Sequence, residues 1–303
     1  MGGNALRHLN VRRISRAELD EMQREIRRRI QFIYQHVSFP TQLATKNDFG
    51  DIDVIVDAES MDVAALAVAL GTRGYVQNTY IVSMEFMDVQ VDFIHVALAS
   101  VENARAYVSY SGLGALIGLF LGPSTGLKYT HDGLWIREPY TYCISTRVDD
   151  IMAFLGMDAS QFERELTPLD ICAYVASHMG VPREFVNRQF RRNTSELLQT
   201  FFENAHALRS RKRVWCVKDA LDQFGLHAVY AALVQAHATE CEKRERVRAR
   251  IPFELVCELH PELETPKVAG AWMRAFKERF SHDTILSWDD AELRAQLALF
   301  QLR

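Results

Sequence analysis

The 303-residue chain is 48% apolar, 24% charged and 10% aromatic, the usage of a chain that buries a core and not of a disordered one. Thirty-five Lys and Arg against 39 Asp and Glu leave a net charge of −4, so no overall polycation draws it to nucleic acid or anionic lipid. Five cysteines, odd in number and without a C-x-x-C pair, argue against a disulfide framework and a zinc knuckle and for reduced thiols in a cytoplasmic compartment. The most apolar stretch, Leu113 to Leu121, is about half of the roughly 20 residues that span a bilayer. Met1-Gly2-Gly3-Asn4-Ala5-Leu6 also lacks the apolar core of a signal peptide, so no membrane partner is expected.

In chain order, Ser15 with Glu18 three residues on is a capping-box pattern. It predicts a helix from Ala17 to His36 that buries Leu19, Met22, Ile26, Ile30 and Ile33 and stops before Pro40. The β-branched run Ile52 to Val56, bounded by Gly50 and Asp57, predicts a buried strand, and Met61 to Leu70 a helix ended by Gly71. Tyr80 to Glu85 and Val89 to Val96 predict a hairpin turning near Met87-Asp88. A glycine-punctuated apolar segment, residues 112–126, leads into a second hairpin around Asp132-Gly133. From Asp149 onward the pattern is helical, with turns at Gly156, Gly180 and Gly225. The expected fold class is therefore α/β (α+β), a small mixed β-sheet with flanking helices over residues 1–145, followed by an all-α domain over 146–303.

Chemistry concentrates in Asp48-Phe49-Gly50-Asp51-Ile52-Asp53-Val54. Side chains alternate along a strand, so Asp51 and Asp53 share a face while Ile52 and Val54 enter the core. Two like charges held this close are costly unless a divalent cation lies between them, and hard oxygen ligands suit Mg2+ or Mn2+. A second strand carries Asp92 between Val91 and Phe93. Three carboxylates on adjacent strands suit a two-metal site. His95 is out of phase with Asp92 and is expected on the other face. Neither a Gly-x-Ser-x-Gly elbow nor a His-x-x-x-His pair occurs.

Gly2-Gly3, Asp51-Ile52-Asp53 and Val91-Asp92-Phe93 resemble the pattern of the DNA polymerase β-type nucleotidyltransferase superfamily. Gly-Gly-Asn-Ala at the start, Lys46, Phe49-Gly50 and Gly126-Leu127-Lys128-Tyr129 are similar to poorly characterised nucleotidyltransferase-like proteins of phages, large viruses and fungi. The likeness covers roughly residues 1–140, and a whole helix separates Gly3 from Asp51, a longer spacing than is usual in the superfamily. The resemblance implies Asp51, Asp53 and Asp92 as catalytic and metal-binding residues. It implies Gly2, Gly3, Lys46, Gly50, Lys128 and Tyr129 as nucleotide-binding residues, with Mg2+ (or Mn2+) as cofactor. Transfer of a nucleoside monophosphate from a nucleoside triphosphate to a hydroxyl acceptor, with release of pyrophosphate, is the implied reaction. The acceptor is open. Eight Arg or Lys between Arg183 and Arg213 stand against three acids, which suits RNA or tRNA phosphates, and a protein hydroxyl is equally open. The alternatives are a catalytically silent nucleotide- or nucleic-acid-binding protein of the same fold, or a carboxylate-metal nuclease.

Overall fold

The computed structural model describes residues 5–57, 62–121, 125–137, 141–179, 195–208, 215–263 and 265–300. Gly2, Gly3 and all eight cations of the Arg183–Arg213 segment lie outside the described residues. Among those described, the strands are β1 (Ile14–Ser15), β2 (Val37–Ser38), β3 (Asp48–Phe49), β4 (Asp51–Asp57), β5 (Tyr75–Asn78), β6 (Ile81–Phe86), β7 (Val89–Val96), β8 (Leu127–Thr130), β9 (Gly133–Ile136) and β10 (Tyr142–Ser145). The helices are α1 (Arg16–Ile30), α2 (Val63–Leu70), α3 (Val101–Val108), α4 (Leu113–Leu121), α5 (Val148–Phe154), α6 (Pro168–Met179), α7 (Glu196–Asn204) and α8 (Val217–Phe224). They continue as α9 (His227–Arg250), α10 (Phe253–Leu259), α11 (Pro266–Arg279), α12 (His282–Ser287) and α13 (Asp290–Leu299). The fold is thus α+β, with helices flanking small sheets and a helical C-terminal part.

The main sheet has five strands in the order β2-β4-β7-β6-β5. Strand β4 runs parallel to β7, and the other pairs are antiparallel. One face is largely apolar: Ile52, Val54, Val56, Val82, Met84, Val91 and Phe93 pack with Leu19, Met22, Ile26 and Ile30 of α1 and Leu66 and Leu70 of α2. The other face is divided. Ile55, Ile94 and Val96 are covered by Val101 and Ala104 of α3, while polar residues occupy the end where β4 begins.

Helix α1 starts where expected, with the reciprocal Ser15–Glu18 capping box formed. It ends at Ile30 and not at His36, because Tyr34 and Val37 are drawn into the core and Val37 pairs with Val56 in β2. The β6–β7 turn at Met87-Asp88 has positive φ at both residues, 53° and 64°, the geometry a two-residue hairpin needs. Strand β5 and helix α3 add to the expected pattern. The glycine-punctuated segment is largely helix α4, whose Leu113, Leu116, Ile117, Phe120 and Leu121 are buried.

A separate three-stranded sheet, β10-β9-β8, contains the second hairpin. Thr130 pairs with Gly133 across the turn, so His131-Asp132 are the turn residues. Gly133 has φ 145°, and a Cβ there would lie 2.4 Å from the Ser145 carbonyl oxygen. Backbone cannot move aside as a side chain can. Gly133→Ala is expected to cost about 1–3 kcal/mol, measured as a lower urea midpoint with unchanged slope.

The chain forms two compact units, Met1–Leu226 and His227–Arg303. Helices α5 to α8 belong to the first, held by contacts such as Phe120 with Phe201 at 5.3 Å and Phe154 with Trp215 at 4.7 Å. The change of pattern near residue 146 marks where the strands stop, and compactness continues to Leu226. The second unit is helical, with Val247, Ile251, Val256, Trp272, Phe276, Ile285, Leu293 and Leu297 as its core. Trp272 stacks on Phe276 with the rings 8° from parallel. Among the described residues, no single helix is long and apolar enough to cross a membrane.

Candidate active site

The divided face of the main sheet holds the three aspartates. Gly50 is buried at the bend between β3 and β4, and the β-branched run after it commits residues 51–57 to a strand. Parallel pairing sets Asp51 beside Gln90 and Asp53 beside Asp92. Across β6 the same two rows continue with Glu85 and Ser83. Strict alternation puts all six on one face, as Asp51–Gln90–Glu85 and Asp53–Asp92–Ser83. His95, one residue out of phase, belongs to the opposite face.

Each carboxylate in these rows has its own surroundings. Glu85 is neutralised by Arg73, whose Nε lies 3.1 Å away, and it accepts the Asp88 and Arg73 backbone N–H groups. Asp92 accepts bonds from Gln90 Nε2 at both oxygens, 2.9 and 3.1 Å. Gln90 is itself fixed, because its Oε1 accepts the Leu6 N–H at 3.2 Å. Burial raises the Asp92 carboxyl to about 6, against hydrogen bonds from Ser83 and Gln90 that lower it. Asp53 is pushed well above the usual carboxylate range, first by burial and then by the charges of Asp51 and Asp92, with Lys46 opposing. Mutual repulsion among the three is therefore a property of the folded site.

Asp51 and Asp53 open into a cavity of about 310 Å³ that is also lined by Gln42, Lys46, Tyr107, Ser111 and Gly112. Lys46 reaches it from a loop clamped by Arg16, whose Nη2 donates to the carbonyls of Leu43 and Lys46 at 2.6 and 2.8 Å. The ammonium donates to Ser111 Oγ at 2.9 Å and sits 5.0 Å from the Phe49 ring centroid. Ser111 and Gly112 form the entry to α4. Tyr110 and Ser111 have φ of 58° and 56°, strained for residues with a Cβ. Strain of this kind persists where surroundings over-determine it. Here the Tyr110 hydroxyl donates to the Arg164 carbonyl at 2.6 Å and its N–H to the Thr41 carbonyl at 2.8 Å. Gly112 and Ala115, at the start of α4, line the cavity. A helix start has backbone N–H groups without intrahelical partners and a positive dipole end, which suits anions.

The expected site residues divide accordingly. Asp51, Asp53 and Lys46 come together in one cavity. Asp92 stands beside Asp53 on the same face but is tied back by Gln90 and is not part of the cavity lining. Gly50 shapes the bend and likewise does not line it. Lys128 and Tyr129 are not brought into this cavity: they lie on β8 of the other sheet, and alternation along the strand sends their side chains to opposite faces. Tyr129 is 3% exposed and packs edge-on to Tyr107 at 5.3 Å, leaving no face for a base. Lys128 is exposed and lines a different cavity with Trp135 and Arg137.

Gln90, Ser83, Tyr107 and the Ser111-Gly112 turn are the parts that sequence reasoning missed. Polar Gln90 and Asp92 in alternation within an apolar strand was a readable signal, as was Ser-Gly immediately before an apolar run. Oxygen donors of this kind fit a hard divalent cation at Asp51 and Asp53. Among the described residues, no three His, Cys, Asp or Glu side chains stand together as a ready-made ligand group, in keeping with Gln90's hold on Asp92. Comparison with protein-family models and with curated proteins returned no match.

Proposed function

We propose that this protein is a metal-dependent nucleotidyltransferase that transfers a nucleoside monophosphate from a nucleoside triphosphate to a hydroxyl, with release of pyrophosphate. One observation carries this reading: two carboxylates on one face of β4 open into a cavity that also holds Lys46 and the first turn of α4. Anionic and cationic groups then have separate stations around one ligand. Asp51 and Asp53 would hold a divalent cation, which would neutralise phosphate charge and favour ionisation of the attacking hydroxyl. Lys46 and the amides of the α4 start face the leaving pyrophosphate. Attack of the hydroxyl oxygen on the α-phosphorus breaks its bond to the bridging oxygen, and the hydroxyl proton leaves to water in the open cavity.

Lys46 tests the phosphate assignment. Lys46→Ala is expected to raise KM for the triphosphate roughly tenfold or more, as loss of a charge-assisted hydrogen bond does, with a smaller effect on kcat. The activity itself is tested by incubating the protein with each α-labelled triphosphate, Mg2+ or Mn2+, and a total lysate. Retention of the label on an acceptor supports transfer and names the acceptor class; release of nucleotides from nucleic acid indicates a nuclease instead. The hold of Gln90 on both oxygens of Asp92 favours a second reading, a silent nucleotide-binding protein. Cation-dependent stabilisation by triphosphate without any transfer of label identifies that case.

A further inference from the structure

We infer that Tyr107 is the surface on which the nucleobase stacks, an assignment that rests on the nucleotidyltransferase reading of the same cavity. Base and phosphates of one triphosphate need an aromatic face and a cationic station within reach of each other. Among the described residues lining the cavity, Tyr107 is the one aromatic. Its ring is fixed on three sides. A Cβ at Gly114 would lie 2.1 Å from Tyr107 Cδ2, so the ring rests against the backbone of α4 where only glycine leaves room. Tyr129 meets it edge-on at 5.3 Å, and His131 at 6.2 Å with a 65° interplanar angle.

A ring held in this way loses little freedom when a ligand stacks on it. Val108 and Ala115 add apolar wall to the same cavity, while Lys46, Ser111 and Gly112 line its polar part. At about 310 Å³ the cavity is at the small end of the range for drug-sized ligands, roughly 300–1,000 Å³. Every base has a π-face, so stacking favours a nucleoside over bare phosphate while discriminating modestly among the four bases.

Calorimetric titration of the full chain with each ribonucleoside triphosphate and with inorganic tripolyphosphate, all with Mg2+, separates base from phosphate. The wild type is expected to bind the nucleotides about 5- to 150-fold more tightly than tripolyphosphate, the fold-change that stacking on one aromatic supplies. Tyr107→Ala should erase that advantage and leave tripolyphosphate binding unchanged. Gly114→Ala, which drives the ring out of place, should do the same, and Tyr107→Phe should keep the advantage. Equal wild-type affinity for nucleotide and tripolyphosphate overturns the assignment and leaves the nucleotidyltransferase reading standing. So does a preference that survives Tyr107→Ala, or a joint loss of both ligands in that variant. Binding of neither ligand by the wild type overturns the nucleotidyltransferase reading, and this assignment with it.

Discussion

Asp53→Asn is expected to lower nucleotidyl transfer by roughly 10²–10³-fold, the scale seen when one electrostatic stabiliser of a transition state is removed, without lowering the thermal midpoint. The two halves of that expectation have one cause. Asp53 is held next to Asp51 and Asp92, and burial together with those charges pushes its carboxyl far upward. A group in that position destabilises the fold when ionised, so replacing it by a neutral amide of the same shape removes repulsion. Divalent-cation binding, the one process that benefits from the clustered charge, is lost at the same time.

Asp51→Asn should behave similarly for activity, because Asp51 lines the same cavity. Activity by end-point label transfer and stability by calorimetry, measured on the same preparations, check both halves. Unfolding of both variants at ordinary temperature would mean that the acids hold the sheet together, which is incompatible with a metal site built on repulsion. Gln90 offers a related comparison, since it spans the Leu6 N–H and both oxygens of Asp92. Its role as an anchor for Asp92 is one that only the folded protein makes visible.

Local pattern made much of this site legible. Asp51 and Asp53 share a face because a strand has period two, and Ser15 with Glu18 marks the start of α1 because capping is a contact over three residues. Both are short-range facts. Tyr129 shows where that reasoning stops: the resemblance of Gly126-Leu127-Lys128-Tyr129 implied a nucleotide-binding residue, yet β8 joins the smaller sheet and Tyr129 is buried. Tyr107 took the cavity position because α3 returns across Ile55 and Ile94, a placement set by tertiary packing. The strained Tyr110-Ser111 turn was equally hidden, since its partners Thr41 and Arg164 are far away in sequence. The parallel pairing of β4 with β7 depends on a crossover through α2, β5 and β6, and local periodicity carries no trace of such a pairing.

The contribution of Asp53 and Asp92 to the stability of the metal-free protein should fall as pH rises through the acid-to-neutral range, and added Mg2+ should reverse the trend. Asp92 has an ordinary carboxyl pKa of 3.8 that rises to about 6 in the fold, and Asp53 is displaced in the same direction. Between those limits the folded state keeps protons that the unfolded chain has lost. Their contribution then decreases with pH by the linkage relation, because at these two groups the unfolded state binds fewer protons. The contribution is fully present below pH 4. Asp92 has lost its share by about pH 6, and Asp53 extends the decline to higher pH. A cation reverses the sign, since it binds the ionised acids and displaces the protons. At 100 times its dissociation constant it adds about 2.7 kcal/mol, or about 5–10 °C for a unit of this size. That gain should be smallest at pH 5 and largest near pH 8, and Asp53→Asn should flatten both curves. Thermal scans at four or five pH values, with and without Mg2+, supply the measurement, and a Mg2+ shift independent of pH would show that the cation does not bind at these aspartates.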